Sequence, residues 1–331
     1  MSYRKWNIAI IILFIIFAYL LLSFIISTLR VQGLLQPDLA EYIKQAPIRH
    51  VVLISQELDN PYWRAIELGA REAADSYEIQ LEYDGPFRIN PDEQIRLLEK
   101  AIAAKADAII LQGINDPRYR VLIHEAVSQG IPVVTVDTDE PDSDRLTYVG
   151  TNNLEAGKQM GELIAEAADY QGQLAVLIGN EDAPNQLLRL NGLRSVIARY
   201  PNLTIVDVRS SNISRLQAAG QAEDILIHFP QVKYMAGLSA LDGVGILEAA
   251  ERSGANKLRI FAFDDLEDTL EGIREGKLEA TIIQQPHEMG YQAMLQLQHY
   301  FQGNVLPAQH YTAATIMKQS TISIGTGEDA Q

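Results

Sequence analysis

Cysteine is absent from the 331 residues, which removes disulfide frameworks, thiolate metal sites, cysteine nucleophiles and lipid-modified cysteines in one step. Positive charge is scarce: 27 Lys+Arg stand against 43 Asp+Glu, a formal charge of −16. Nucleic-acid affinity rests mainly on Lys and Arg neutralising phosphates, so no nucleic-acid partner is expected. Phosphate-cradling motifs are missing. The nearest approach to a P-loop, Gly150 to Gly157-Lys158-Gln159, has the wrong spacing and no hydroxyl after the lysine. No G-x-G-x-x-G follows the first apolar strand, which runs into Ser55-Gln56-Glu57-Leu58-Asp59-Asn60-Pro61. Gly237-Leu238-Ser239-Ala240-Leu241 lacks the second glycine of a nucleophile elbow. His124-Glu125 and His287-Glu288 lack the second histidine of a zinc helix. The acidic run at residues 137–144 has Pro141 where a calcium loop needs its third ligand. No catalytic residue, metal or cofactor is expected, and the chain does not read as an enzyme.

What is present begins with a long apolar segment. Residues 8–29 carry no charge and, at ~1.5 Å rise per residue, reach about 33 Å as a helix, enough for a hydrocarbon core of ~30 Å. The segment reads as an uncleaved signal anchor, since a cleaved signal has a shorter apolar region and an A-x-A-like boundary; cleavage is the alternative. Arg4 and Lys5 precede it and Arg30 alone follows, which places the N-terminus in the cytoplasm and the bulk of the chain outside, with Trp6 as an interfacial anchor. Residues 1–30 are thus a cytoplasmic stub and span. The rest carries −19, because the first thirty residues hold three basic residues and no acid. Residues 31–47 read as a linker broken by Pro37 and Pro47, either a tolerated stalk or a short amphipathic helix with Leu34, Leu35, Leu39 and Ile43 on one side.

From residue 48 two periods alternate. Apolar runs predict strands at residues 50–55, 108–112, 131–137, 174–179, 203–208, 234–238, 259–263 and 280–284, continuous enough to be buried on both faces of a parallel sheet. Helix-period stretches fall between them at 62–77, 92–105, 118–129, 154–168, 185–200, 214–228, 243–253, 266–275 and 287–301. Such alternation means a doubly wound α/β architecture, and its extent predicts two lobes.

Polar and aromatic residues gather at the predicted strand ends, where open α/β sheets place their ligands. They are Ser55 with Asn60, Tyr62 and Trp63; Asp137; Arg189, one turn into a helix; Ser239; Asp264; and Gln284. Planar two-pronged heads can bond vicinal hydroxyls in pairs, and aromatic faces pack on the C–H face of a sugar ring. Individually, such residues are as well explained as helix caps or core. Together they point to a carbohydrate cleft.

At these residues the sequence resembles the type I periplasmic sugar-binding proteins, particularly the ribose-binding group, which shares its fold with the core of lactose-repressor-type regulators. The resemblance covers residues 48 to about 324. It is carried by Asp59-Asn60-Pro61-Tyr62-Trp63 with Gly69-Ala70, by residues 130–137 (GIPVVTVD), by Arg189 with Gly192, by Phe263-Asp264, and by residues 276–286 (GKLEATIIQQP). It implies two Rossmann-like lobes, with Ser55, Asn60, Asp137, Arg189, Asp264 and Gln284 bonding sugar hydroxyls and Tyr62 and Trp63 stacking on the ring. Two departures stand out: Thr138 replaces the arginine usual after the aspartate, and Ser239 aligns with an asparagine. Short hydroxyls there enlarge the cleft, weaken a ribose assignment, and leave room for another pentose, a hexose or a sugar-like signal.

The family topology implies three hinge crossings, near Thr151-Asn152, Gln284-Gln285 and Thr312-Ala313. The lobes are then residues 48–151 with 285–312 and residues 152–284 with 313–324, followed by a tail at 325–331. The expected partners are a monosaccharide, the membrane, and either an ABC permease or a sensor histidine kinase. A sugar-modifying enzyme on the same fold is the alternative. A repressor is excluded, because a membrane span stands where the DNA-binding version has a helix-turn-helix.

Overall fold

The computed structural model describes residues 3–44 and 48–321. Two units separate, Met1–Arg49 and His50–Gln331. The first is one helix, α1 (Tyr3–Lys44). Its stretch Ile11–Val31, 21 residues with mean hydropathy 2.7, is long and apolar enough to cross a membrane, by the length and composition that a signal sequence also has. Large apolar side chains such as Phe14, Phe17 and Leu20 are exposed along it. The helix continues across Pro37, which the sequence reading takes as a break. A proline removes only one amide donor from a helix. Pro47, the side chains of Arg4, Lys5, Trp6 and the linker's leucines, and the tail at 325–331 lie outside the described residues.

The second unit holds two six-stranded sheets. The first is built from β1 (His50–Ile54), β2 (Gln80–Asp84), β3 (Ala108–Leu111), β4 (Val133–Val136), β5 (Thr147–Thr151) and β11 (Gln309–Thr312), in the order β11-β5-β4-β3-β1-β2, all parallel. The second uses β6 (Gly172–Ile178), β7 (Leu203–Ser210), β8 (Val232–Gly237), β9 (Arg259–Phe263), β10 (Ala280–Ile283) and β12 (Thr315–Lys318), in the order β12-β10-β9-β8-β6-β7. There only β12 is antiparallel. The two orders match strand for strand, so β4 in one sheet occupies the place of β9 in the other.

Period-two alternation sorts each strand onto two cores. Val51 and Leu53 of β1 join the cluster with Trp63, Ile66 and Met289, while Val52 and Ile54 join Leu98, Tyr119 and Ile123 on the opposite face. The second sheet repeats this, with Leu174, Val176 and Ile178 on one face and Ala175 and Leu177 on the other. The helices are α2 (Pro61–Ser76), α3 (Pro91–Ala103), α4 (Pro117–Ser128), α5 (Asn153–Ala167), α6 (Pro184–Ile197), α7 (Arg215–His228), α8 (Ala240–Ser253), α9 (Glu267–Arg274) and α10 (Pro286–Phe301). Proline at the first turn, whose amide has no partner in any case, starts α2, α3, α4, α6 and α10.

The chain passes between the sheets three times, from β5 into α5, from β10 into α10, and from β11 into β12. Two helix pairs approach backbone to backbone. A Cβ on Gly69 would stand 1.9 Å from the His287 carbonyl where α2 meets α10, and one on Gly192 would stand 2.1 Å from the Leu154 carbonyl where α6 meets α5.

Candidate functional site

Strand ends assemble the site from both sheets. Asp137 follows β4 and Asp264 follows β9, in matching places of the two sheets, and each takes a left-handed backbone, φ 64° and 65°. The left-handed region is uncommon outside glycine, although aspartate is among the residues that enter it most readily.

Around Asp137, Tyr62 OH donates to Oδ1 at 2.9 Å, while Gln112 Nε2 at 3.1 Å and Thr138 Oγ1 at 3.0 Å donate to Oδ2. Tyr148 OH lies within hydrogen-bond distance of the Asp137 carbonyl (2.8 Å) and the Thr151 carbonyl (3.1 Å), which share its single proton and link the end of β4 to the end of β5. Thr138 is buried and also receives Gln112 Nε2 at 3.2 Å. Its hydroxyl therefore braces Asp137.

Around Asp264 the organiser is Arg189, 2% exposed. Its Nε donates to Asn153 Oδ1 (2.8 Å), one terminal nitrogen to the Leu238 carbonyl (2.8 Å), and the other to Gln284 Oε1 (2.7 Å). The guanidinium lies over the Phe263 ring, 4.3 Å from its centroid. Gln284 passes the contact on, Nε2 donating to Asp264 Oδ1 at 3.0 Å, and Thr151 Oγ1 donates to Gln284 Oε1 at 2.9 Å across two of the inter-sheet crossings.

The electrostatics tie the halves together. Burial pushes the Asp264 carboxyl up, the positive charge of Arg189 and the Gln284 bond oppose that, and the negative charges of Asp137 and Asp265 add to it. Burial, followed by the fields of Asp137 and Asp264, holds the Tyr62 phenol well above its ordinary range, so it stays a donor. Tyr62 thus stands within the field of aspartates from both sheets.

Other predicted site residues fall into more local roles. Ser55 is fully buried and donates to the Asp84 carbonyl at 3.3 Å. Asn60 caps α2, its Oδ1 accepting from Tyr62 N–H (2.9 Å) and its Nδ2 donating to Glu57 (3.1 Å). Trp63, expected to stack on a sugar, is 2% exposed in the apolar cluster beside β1, edge-on to Tyr62. Tyr62, the residue before it, packs partly against the same cluster while its hydroxyl reaches Asp137. Ser239 precedes α8, its N–H donating to Asp242 Oδ2 at 2.9 Å. At the crossings, Asn152 caps α5 through Glu155 N–H (3.1 Å), Gln285 precedes α10, and Thr312 is buried.

Gln112, Tyr148 and Asn153 join these clusters without being singled out by sequence. A polar residue ending an apolar strand was the available signal for Gln112; Asn153 has none, since only Arg189, 36 positions away, gives it a role. Among the described residues no group of three or more His, Asp or Glu is placed to hold a metal ion. The acidic run instead ties Asp139 to Arg145 and Thr135.

The fold is shared with known proteins. The periplasmic binding protein domain family matches residues 51–304. A D-apiose import binding protein of Paraburkholderia graminis is 27% identical over 241 residues, 71% of this chain and 75% of its own. Among solved structures, GanP, a glucose-galactose binding protein from Geobacillus stearothermophilus, is 38% identical with a TM-score of 0.81, covering 83% of this chain and 99% of its own. XylFII in its complex with LytSN is 34% identical with a TM-score of 0.77, over the same shares. With the paired six-stranded sheets and the strand-end polar clusters, these matches show that the chain belongs to the periplasmic binding protein family, as a type I sugar-binding, ribose-binding-like member.

Proposed function

We propose that the chain is a membrane-anchored extracytoplasmic receptor that closes on one monosaccharide, a pentose or a hexose, and presents its closed state to a membrane partner. The observation that carries this reading is the buried Arg189 cluster, together with two left-handed aspartates at matching strand ends of the two sheets. A buried guanidinium among amides and carboxylates is costly to desolvate. A ligand with several hydroxyls offers donors and acceptors to that set and uses it.

In this reading Ser55, Asn60, Asp137, Thr138, Arg189, Ser239, Asp264 and Gln284 address ligand hydroxyls, Tyr62 supplies the aromatic wall, and Trp63 backs it from the core. Thr151, Asn152, Gln285 and Thr312 lie on the hinges, and the lobes are residues 48–151 with 285–312 and residues 152–284 with 313–324. Hinge closure is the kind of motion such interleaved lobes allow. Helix α1 is the anchor, with the N-terminus cytoplasmic.

GanP and the apiose import protein, named for monosaccharides, support the ligand class and a non-enzymatic role. For the partner, the XylFII–LytSN complex supports a signalling assembly, which we read as a sensor histidine kinase. The import relative supports the second reading, delivery to an ABC permease.

Thermal-shift and titration calorimetry on the full-length protein in detergent, with D-galactose, D-glucose, D-xylose and D-arabinose, test the ligand class. A ligand at a hundredfold its Kd stabilises the folded state by about 2.7 kcal/mol. A flat response to all four, or consumption of a bound sugar, overturns the reading. Co-purification with the kinase against the permease separates the two partners.

A further inference from the structure

We propose a second carbohydrate site at the outer edge of the second sheet, separate from the strand-end clusters around Asp137 and Arg189 and suited to an amino sugar. A cavity of about 420 Å³ opens where the loop after β6 meets the end of the edge strand β7 and the side of α7. That volume lies within the roughly 300–1,000 Å³ of small-molecule sites. Its place, beyond the carboxyl ends of parallel strands, is where open α/β sheets hold ligands. Asn180, Glu181, Asp182, Val208, Arg209 and Gln221 are among the residues that line it, and none of them belongs to the two clusters already described.

The lining holds a built frame and a set of groups left over from it. Arg209 Nε donates to Asp207 Oδ2 at 2.7 Å, and one of its terminal nitrogens donates to Gln221 Oε1 at 3.2 Å and to Asp224. Asp182 N–H donates to Asn180 Oδ1 at 2.8 Å, which turns the loop, and Asn115 Nδ2 from the first sheet's side donates to the Asp182 carbonyl at 3.4 Å. Among the described residues the other terminal nitrogen of Arg209, Asn180 Nδ2 and Gln221 Nε2 have no acceptor, and the exposed Glu181 and Asp182 carboxylates have no donor. Both kinds of group are therefore open to a ligand. With Asp207 and Asp224 counted, one guanidinium stands among four carboxylates, so a sugar acid or a phosphate is repelled. A bare cation would leave the three donors unmatched. An amino sugar matches both: its hydroxyl oxygens accept from Arg209, Asn180 and Gln221, its ammonium donates to Glu181 or Asp182, and half-buried Val208 gives its C–H face an apolar wall.

The test is calorimetry on the full-length protein in detergent, its cleft first saturated with whichever of D-galactose, D-glucose, D-xylose and D-arabinose binds most tightly. D-Glucosamine is then expected to bind at one further equivalent, about tenfold or more tighter than added D-glucose, and D-glucuronate not to bind. The pair Glu181→Gln and Asp182→Asn should weaken D-glucosamine about 10- to 100-fold and leave D-glucose at this site nearly unchanged. Gln221→Leu should weaken both. None of the three substitutions should alter the Kd of the sugar in the cleft. No further equivalent of D-glucosamine, or a further equivalent indifferent to these substitutions, overturns the proposal. Binding of L-lysine amide as tight as that of D-glucosamine shows a plain cation site and overturns the carbohydrate assignment. If none of the four sugars fills the cleft, the same titration on the unliganded protein and its pocket variants decides the second site alone, so the two readings fail separately.

Discussion

Arg189 concentrates the risk of the site in one side chain. Its three hydrogen bonds reach α5, the end of β8 and the end of β10. Arg189→Ala is expected to lose sugar binding and to destabilise the fold, measured by urea denaturation, by about 1–3 kcal/mol for each acceptor left without this donor, the Asn153 oxygen and the Leu238 carbonyl, while Gln284 Oε1 keeps Thr151 Oγ1. Arg189→Lys should recover part of the stability and little of the binding, since an ammonium cannot reproduce a planar fork reaching three acceptors. Asp264 makes a pH prediction. Its folded carboxyl is raised by burial, so between its unfolded and folded pKa the native state binds more protons than the unfolded state. Stability then falls as pH rises through that window and is regained on acidification. Binding runs the other way: if ionised Asp264 accepts ligand hydroxyls, affinity weakens as pH drops through the raised pKa. Asp264→Asn should flatten both slopes, measured as Tm and Kd against pH, while the buried Asp242, also raised by burial, keeps its own contribution. The polar strand ends Asp137, Asp264 and Gln284 were legible in the sequence because each terminates an apolar run. The burial of Trp63 was not, because adjacent residues at a helix start point in different directions and only the packed core decides which one faces it.

Elements were legible in proportion to their hydrophobic contrast. The eight strands predicted by apolar runs all form, and the nine predicted helices form within a few residues at their ends. Strands β2, β5, β11 and β12 escaped: QLEYD, QHYT and TIMK are edge-side segments with many half-exposed side chains, and TYVGT is buried although a glycine and two threonines dilute its apolar signal. Each is held by ladder bonds to a neighbour far away in sequence, which no local pattern reports. The close crossing of α5 and α6 makes a prediction at this scale. Gly192→Ala would drive a methyl into the Leu154 carbonyl, and Gly69→Ala another into the His287 carbonyl. Each should cost about 1–3 kcal/mol as overpacking, lowering Tm by several degrees in a calorimetric scan. Gly220→Ala, where a Cβ meets nothing within 4 Å, should leave Tm unchanged or raise it slightly.

For the whole molecule the decisive fact is that three crossings join two sheets of the same strand order. If Thr151, Gln284 and their neighbours act as hinges, saturating sugar should reduce the radius of gyration of the protein by small-angle scattering. Thr151→Val, which deletes the bond to Gln284 Oε1 between two crossings, should alter that change more than it alters the Tm. Binding without any change in radius would sink the closure reading. Membrane anchoring has a separate check: the full-length protein should remain in the membrane fraction after alkaline carbonate washing and keep residues 8–29 by mass spectrometry. Release of a shortened chain would show that the segment is a signal.

By itself the sequence determined the α/β class, the long apolar segment at the start, and the polar residues at the strand ends, because each is written in local periodicity or in a contrast between neighbours. Tertiary structure decided which of those polar residues meet. Arg189 finds Asn153 and Gln284, and Tyr62 and Gln112 share Asp137, through sequence separations of 25 to 95 residues. Desolvation then gives the shared groups their force, since a buried donor or acceptor must be matched by whatever the fold brings within 3 Å, and chain order carries no record of that distance.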